Sequence, residues 1–421
     1  MNLTTSIATA YSPPFRIVVK YFVAAIFSFV LLNFMLLINY QDINGHHFQP
    51  KILSITHIAT LGFITMTIFG AMFQLVPVVL EVKLFSALLA ELQFWIYLLG
   101  ITGLVFKFWY FSSSLSFTLP AIFLNLAIFI FAFNIIASMT KVKIWNITGI
   151  YLASAIFWLV ITAIAGLLLA INLDHPYIKI DHLQYLKLHA NVAFIGWVTM
   201  VVMGVSFKLI PMFTLSHGYK LELAKWALGL INFGLLGINW IMHYPDTEFY
   251  ILIFGTAIFI GLILYLIQIY IMFKKRIRKK LDIGLKFSAI ALVMLGFSTL
   301  LGFSFLFFEY EYKPNLTLIY GFMIIVAYIS TLIVGQMYKI VPFLIWYHKY
   351  SSKVGIENVP MLKDMFNENL AEYNLFLMLA GIITSVFAFL SQINLLLLSG
   401  FALLFLSSII FSFNMYKIFR S

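Results

Sequence analysis

His57 and His189 stand near the heads of two long apolar runs, one continuing to Gly70 and the other to Gly204. Neutral imidazole is a common ligand for metals and heme iron. Ionisable groups inside membrane-length apolar runs are costly and often functional. The plainer use of each ring is a hydrogen bond to a neighbouring helix. His175, His182 and His189 recur at a regular interval of two helical turns, with Asp174 and Asp181 preceding two of them. If one helix extends through this segment, the three share a face and form a metal path or second metal site with His182 and His189 as ligands; otherwise the segment is a solvated loop. Glu91, in LLAELQFW, reads as a carboxylate well inside an apolar run. It is a candidate proton relay or ion site, or one half of a polar pair with Gln93 or with another helix. Met72, Met203, Met212 and Met337 offer thioethers, which suit Cu(I) or simply pack helices. There is no cysteine, which removes disulfides, thiolate ligands and a cysteine nucleophile. No nucleotide-binding glycine loop, Ser-His-Asp arrangement or EF-hand pattern is present.

The elements that position these residues are dictated by composition. Of 421 residues, 63% are hydrophobic and 10% charged, where a soluble domain has about 25% charged; mean hydropathy is +1.03. The chain is therefore expected to be an all-α polytopic membrane protein whose first partner is the lipid bilayer. About twelve apolar runs are long enough to cross, centred near Phe29, Ile68, Leu98, Phe129, Ala163, Thr199, Phe233, Ile260, Leu295, Ile329, Gly381 and Leu404. An even number puts both termini on one side. Of the 26 Lys and Arg, 21 fall on that side, so the positive-inside rule makes both termini cytoplasmic in a bacterial-type inner membrane. The first run, preceded by Arg16 and Lys20 and lacking a cleavage site, reads as a retained span. The net charge of +11 is thereby a topology signal, and no nucleic-acid partner is expected. FKKRIRKKLD reads as a basic cytoplasmic loop that touches anionic lipid headgroups. The longest cytoplasmic connection, SSKVGIENVPMLKDMFNENLAEY, is where a partner could dock.

One phrase occurs three times at nearly equal intervals: GAMFQLVP at Gly70–Pro77, GVSFKLIP at Gly204–Pro211 and GQMYKIVP at Gly335–Pro342. Upstream, Gly62, Gly196 and Ala327 align, as do Thr65, Thr199 and Ser330, small residues that let helices approach closely in lipid. The phrase falls on spans 2, 6 and 10, so the chain reads as one domain over 1–421 built from three pseudo-repeated four-helix arcs, roughly 16–140, 146–273 and 284–418. Lys208, Lys339 and Gln74 take one place in the phrase and are expected to reach toward headgroups. At one offset ahead of the three prolines stand His57, Asn191 and Phe322; two positions earlier stand Ile55, His189 and Tyr320.

Twelve helices in three arcs, with histidine heading spans 2 and 6, resemble the heme–copper oxidase subunit I superfamily, in the manner of C-family oxidases and nitric oxide reductases. HIATLGFITMTIFGAMFQLVPVV is similar to its helix 2, and HANVAFIGWVTMVVMGVSFKLIPMF to its helix 6. The resemblance implies that His57 is an axial ligand of a low-spin heme b and that His189 ligates copper or iron. It also calls for a histidine pair on helix 7 and His-x-His on helix 10. Here span 7 carries only His243 at its end, and helix 10 reads Tyr320-Gly321-Phe322.

Three functions follow. The first is a heme- or copper-binding integral membrane redox protein without a complete binuclear oxygen-reducing centre, fed by a small electron donor or another membrane subunit. The second is a cofactor-free assembly factor or transporter in copper or heme handling. The third is a small-molecule or gas-responsive membrane sensor without turnover.

Overall fold

The computed structural model describes residues 11–112, 114–178, 182–244, 247–308 and 314–421. The protein is all-α. Its long helices are α1 (Phe15–Ile38), α2 (Pro50–Leu80), α3 (Ala87–Tyr110), α4 (Thr118–Met139), α5 (Ile147–Asp174), α6 (His182–Thr214), α7 (Glu222–Ile241), α8 (Glu248–Lys274), α9 (Ile283–Ser304), α10 (Asn315–Lys353), α11 (Glu368–Ser391) and α12 (Asn394–Arg420). Each expected span falls on one of them. Among the described residues, eleven are long and apolar enough to cross a membrane. The other, α7, has 20 residues, about the length a bilayer requires, but carries Glu222, Lys225, Asn232 and Asn239.

The phrase-bearing helices are the most buried. In their central stretches 72%, 67% and 78% of residues are buried in α2, α6 and α10, against at most 56% in any other candidate span. Two compact units are distinguished. One holds the described residues up to Tyr21 together with Ile68–Lys279, the other Phe22–Thr67 and Lys280–Ser421. The divisions fall inside α1 and α2.

The repeat is written into the backbone. Each phrase-bearing helix has a segment in the wide π form: Ile58–Thr65, Val192–Thr199 and Met323–Ser330. All three begin at the same offset from the phrase proline. The Met66 N–H reaches back to the Leu61 carbonyl, and Thr331 N–H to Val326. The Ser330 and Thr331 hydroxyls donate to the Ile325 and Val326 carbonyls at 2.7 and 3.1 Å. Pi turns are rare and cluster at functional sites; three at one register are a property of the repeat. Each phrase proline removes the N–H that would reach the carbonyl of Phe73, Phe207 or Tyr338.

Those three aromatics are the centres of triads. Phe73 packs on Tyr21 and Phe131 at centroid distances of 5.5 and 5.2 Å. Phe207 packs on Tyr151 and Tyr265 at 5.3 and 5.9 Å, and Tyr338 on Phe287 and Phe411 at 6.1 and 5.6 Å. In every case the partners come from the first and fourth helices of the same repeat. Phrase glycines give the first helix its seat: a Cβ on Gly204 would lie 2.7 Å from Tyr151 Cβ, and one on Gly335 2.4 Å from Phe287 Cβ.

The third and fourth helices of each repeat form an antiparallel hairpin (α3–α4, α7–α8, α11–α12), and a buried carboxamide closes its end. Asn134 accepts from Ser86 N at 2.9 Å and donates to Ser86 O at 2.8 Å. Gln268 donates to Lys220 O at 3.0 Å. Asn414 accepts from Asn367 N at 3.1 Å and donates to Asn367 O at 3.3 Å. All three side chains are fully buried. Where no water competes, such bonds decide which loop geometry is allowed.

Replacing Asn134 by Ala leaves the Ser86 N–H without its partner and the Ser86 carbonyl with only the 3.4 Å bond from Ala90 N, and should cost about 1–3 kcal/mol. Thermal unfolding of the detergent-solubilised protein, followed by tryptophan fluorescence, should show a lower midpoint for Asn134→Ala and Asn414→Ala. Exposed Ser399→Ala, whose hydroxyl bonds its own helix, should leave the midpoint in place. Equal midpoints for all three would refute the clamp.

Candidate functional site

His57 is the last α-helical residue before the π segment of α2. Its Nδ1 lies 2.7 Å from the Leu53 carbonyl oxygen. A carbonyl only accepts, so Nδ1 carries the proton and, in the neutral ring, Nε2 carries the lone pair. This is the orientation in which ligating histidines are held, one nitrogen tied to a backbone carbonyl and the other basic. The turns around it are half-open: Thr56, His57, Thr60 and Leu61 are partly exposed on a helix otherwise mostly buried. The small Gly62, where a Cβ would meet Ser28 Oγ at 2.9 Å, brings α1 close to the π segment.

His189 occupies a different register. A Cβ on Gly166 of α5 would lie 3.0 Å from His189 Cε1, and one on Gly302 of α9 would lie 2.8 Å from the Tyr320 hydroxyl. His189 and Tyr320 are thus the same position, two rings each laid over a glycine of the first helix of its repeat. The position equivalent to His57 is Phe322 on α10, which packs on Phe389 of α11 and Phe401 of α12 at 5.7 and 6.4 Å. Because the π segments share one register, nothing slips His189 into the place of His57. The two histidines lie on different sides of their own helices.

His175, His182 and His189 do not share a helix. Helix α5 runs to Asp174 and α6 starts at His182, with His175 in the connection. Asp174 is not a metal ligand candidate here. Its carboxylate accepts from Ser116 Oγ (2.6 Å), Phe117 N (3.0 Å), Thr118 N (2.8 Å) and Thr118 Oγ1 (2.7 Å), capping α4 from α5, where an anion meets the positive end of the helix dipole. Asn172 Oδ1 accepts two backbone N–H groups, from Tyr177 (2.9 Å) and Ile178 (2.8 Å), so its amide nitrogen faces His182 Nδ1 at 2.9 Å. That bond commits His182 Nδ1 as an acceptor closing the loop. Asp181 lies outside the described residues. His243, beyond the end of α7, meets the Tyr185 hydroxyl at 3.3 Å.

Glu91 is not deep in its helix. Ser86 caps α3 by accepting from Leu89 N at 3.2 Å, so the helix begins at Ala87 and Glu91 sits in its second turn. Its carboxylate pairs with Lys20 of α1 and accepts from Trp95 Nε1 at 3.3 Å, and the side chain is 40% exposed. The buried amide beside it is Gln93, which meets the hydroxyl of Tyr21; that hydroxyl also donates to Ala90 O at 2.8 Å. Two polar residues of the phrase turn inward rather than toward headgroups. Lys339 binds Asp282, the cap of α9, at 2.5 Å, and Gln74 donates to Ser12, ahead of α1, at 2.7 Å; Lys208 is exposed as expected. Met72, Met203 and Met337 are buried packing residues, and Met212 is exposed. Trp346 donates to Pro360 O at 2.7 Å, tying down the long loop after α10. Among the described residues, no three of His, Asp and Glu come together as a metal site.

Sequence reasoning missed Gly166 and Gly302 as ring seats. These two glycines are spaced along the chain as the helix caps Asn146 and Asp282 are, which was the available signal. No family model matches this sequence, and no curated protein matches it.

The neutral His57 ring should be the Nδ1–H tautomer. Nitrogen-15 NMR of histidine-labelled protein, with His57→Gln to assign the signal, should show Nε2 as the unprotonated nitrogen; the opposite tautomer would refute the Leu53 contact.

Proposed function

We propose that this is a heme-binding membrane protein of the heme–copper oxidase subunit I type that holds a single b-type heme through His57 and has no binuclear centre. The observation carrying this reading is the Nδ1–H···O=C bond from His57 to Leu53, which leaves Nε2 as the basic nitrogen at a half-open turn. The donor set fits one axial ligand and no more: the equivalent position on α10 is Phe322 within an aromatic cluster, and Tyr320 lies against Gly302. Copper on His189 fits less well, because His189 lies against α5 and α7 contributes no histidine. Heme held there by His57 would supply one-electron exchange and binding of a diatomic gas. A small electron donor or a neighbouring subunit would complete such a chain. The Lys and Arg distribution supports an inner-membrane protein with both termini cytoplasmic.

The packing of Phe322 and Tyr320 favours a second reading, a cofactor-free descendant serving in copper or heme handling. The absorption spectrum of purified protein separates the two. The first reading expects a Soret band, a shift of the dithionite-reduced form on adding carbon monoxide, loss of both in His57→Ala, and their retention in His189→Ala. A protein that stays colourless after expression with heme supplementation would refute it. So would a reduced spectrum indifferent to carbon monoxide, which would mean two axial ligands.

A further inference from the structure

We propose that the ends of α6, α7 and α8 form a binding face for anionic phospholipid headgroups. Three separate segments are assembled there. Helix α8 ends in Lys274, followed by Lys275, Arg276, Ile277, Arg278 and Lys279. The α6–α7 connection adds His217 and Lys220, α6 adds Lys208 and α7 adds Lys225. Three bonds hold the α8 end on the α6–α7 connection: Gln268 Nε2 to Lys220 O at 3.0 Å, Lys275 Nζ to Gly218 O, and Arg278 N to Thr214 O at 3.1 Å. The basic run is therefore seated on the helix ends, and apart from Arg276, which is half-buried, its cations are exposed.

Charge on this face is nearly all of one sign. Lys208, Lys220, Lys225, Lys274, Lys275, Arg276, Arg278 and Lys279 face one acid, Glu222, which pairs with Lys225 at 2.9 Å. The surroundings place the face at a membrane–water boundary rather than in open water. Trp226 in the second turn of α7 and Tyr270 one turn before the end of α8 are 67% and 66% exposed, and such rings anchor at headgroup level. Ile277, 58% exposed among the cations, has an apolar layer to enter beside them. Phosphodiester headgroups over acyl chains match this mixture of clustered cations, flanking aromatic rings and one apolar side chain. An acidic protein segment matches only the cations. This inference is independent of whether His57 holds a heme.

The test uses the full-length protein in nanodiscs of mixed phosphatidylcholine and phosphatidylglycerol, with retained lipid counted by native mass spectrometry. The wild type should retain phosphatidylglycerol preferentially, less so at high salt. In Lys274→Gln/Lys275→Gln/Arg278→Gln/Lys279→Gln the preference should fall about fivefold or more, the equivalent of one cation's attraction to an anionic surface. Lys353→Gln/Lys363→Gln, at the end of α10 and on the α10–α11 connection, should leave it unchanged. If the fourfold variant does not fold, Lys274→Gln/Lys279→Gln, neither of whose side chains takes part in the three bonds, serves in its place with the same expectation. An undiminished preference in the fourfold variant, an equal loss in the α10–α11 control, or a wild type that binds a polyglutamate peptide but shows no headgroup preference would overturn the proposal.

Discussion

An aromatic ring one turn before a helix proline is the point about which each four-helix repeat is organised. Phe73, Phe207 and Tyr338 each hold one ring from the first helix and one from the fourth. Each such pair contributes about 0.5–1.5 kcal/mol beyond its buried area. Lipid supplies no hydrophobic drive between helices, so close fit and satisfied polar groups must do what water exclusion does elsewhere. In the second and third repeats the phrase glycine just ahead of the ring, Gly204 or Gly335, provides the fit, letting the first helix lie flush. The hydroxyls of the triads provide the polar part. Tyr21 and Tyr151 donate to Ala90 O and Ala224 O at 2.8 and 2.7 Å. In the third repeat the hydroxyl has moved to the central ring, where Tyr338 meets Asn374 and Asn414 at 3.0 and 3.2 Å.

The π segments connect this scaffold to the candidate site. A π turn holds more residues than an α turn, so it rotates the helix before it relative to the helix after it. His57 lies just before that rotation, Phe322 just before its equivalent and Asn191 just before the third. A single geometric device thus presents three different side chains, and only one of them has a lone pair suited to iron. The repeats share the device and differ in the residue it presents.

Polar residues that look functional in a membrane sequence are largely committed to holding the fold. Asp174 caps α4, His182 closes the loop after α5, Lys339 binds the cap of α9 and Glu91 joins α3 to α1. Each is costly to bury alone and each bond is made at a helix end, where loose backbone groups and opposite charges are within reach; Lys339 itself is mid-helix and reaches the end of α9 through Asp282. His57 differs from these in that its bond to Leu53 runs backwards along its own helix and ties no second element.

Composition, the spacing of apolar runs and the thrice-written phrase determined the all-α membrane architecture and its twelve helices, because bilayer thickness and backbone satisfaction leave few alternatives. The thrice-written phrase also marked the three helices that carry π segments at one register. What only the tertiary structure decided is which way each candidate points. Residues two apart on a helix differ by about 200°, so His189 and Asn191 look interchangeable in sequence and are opposed in space. Where a helix begins depends on a cap such as Ser86 or Asp282, so a carboxylate that reads as deep in an apolar run lies one turn from its end. The partners of Asn134, Gln268 and Asn414 come from distant stretches of the chain, and a linear pattern cannot show which loop a buried amide will meet.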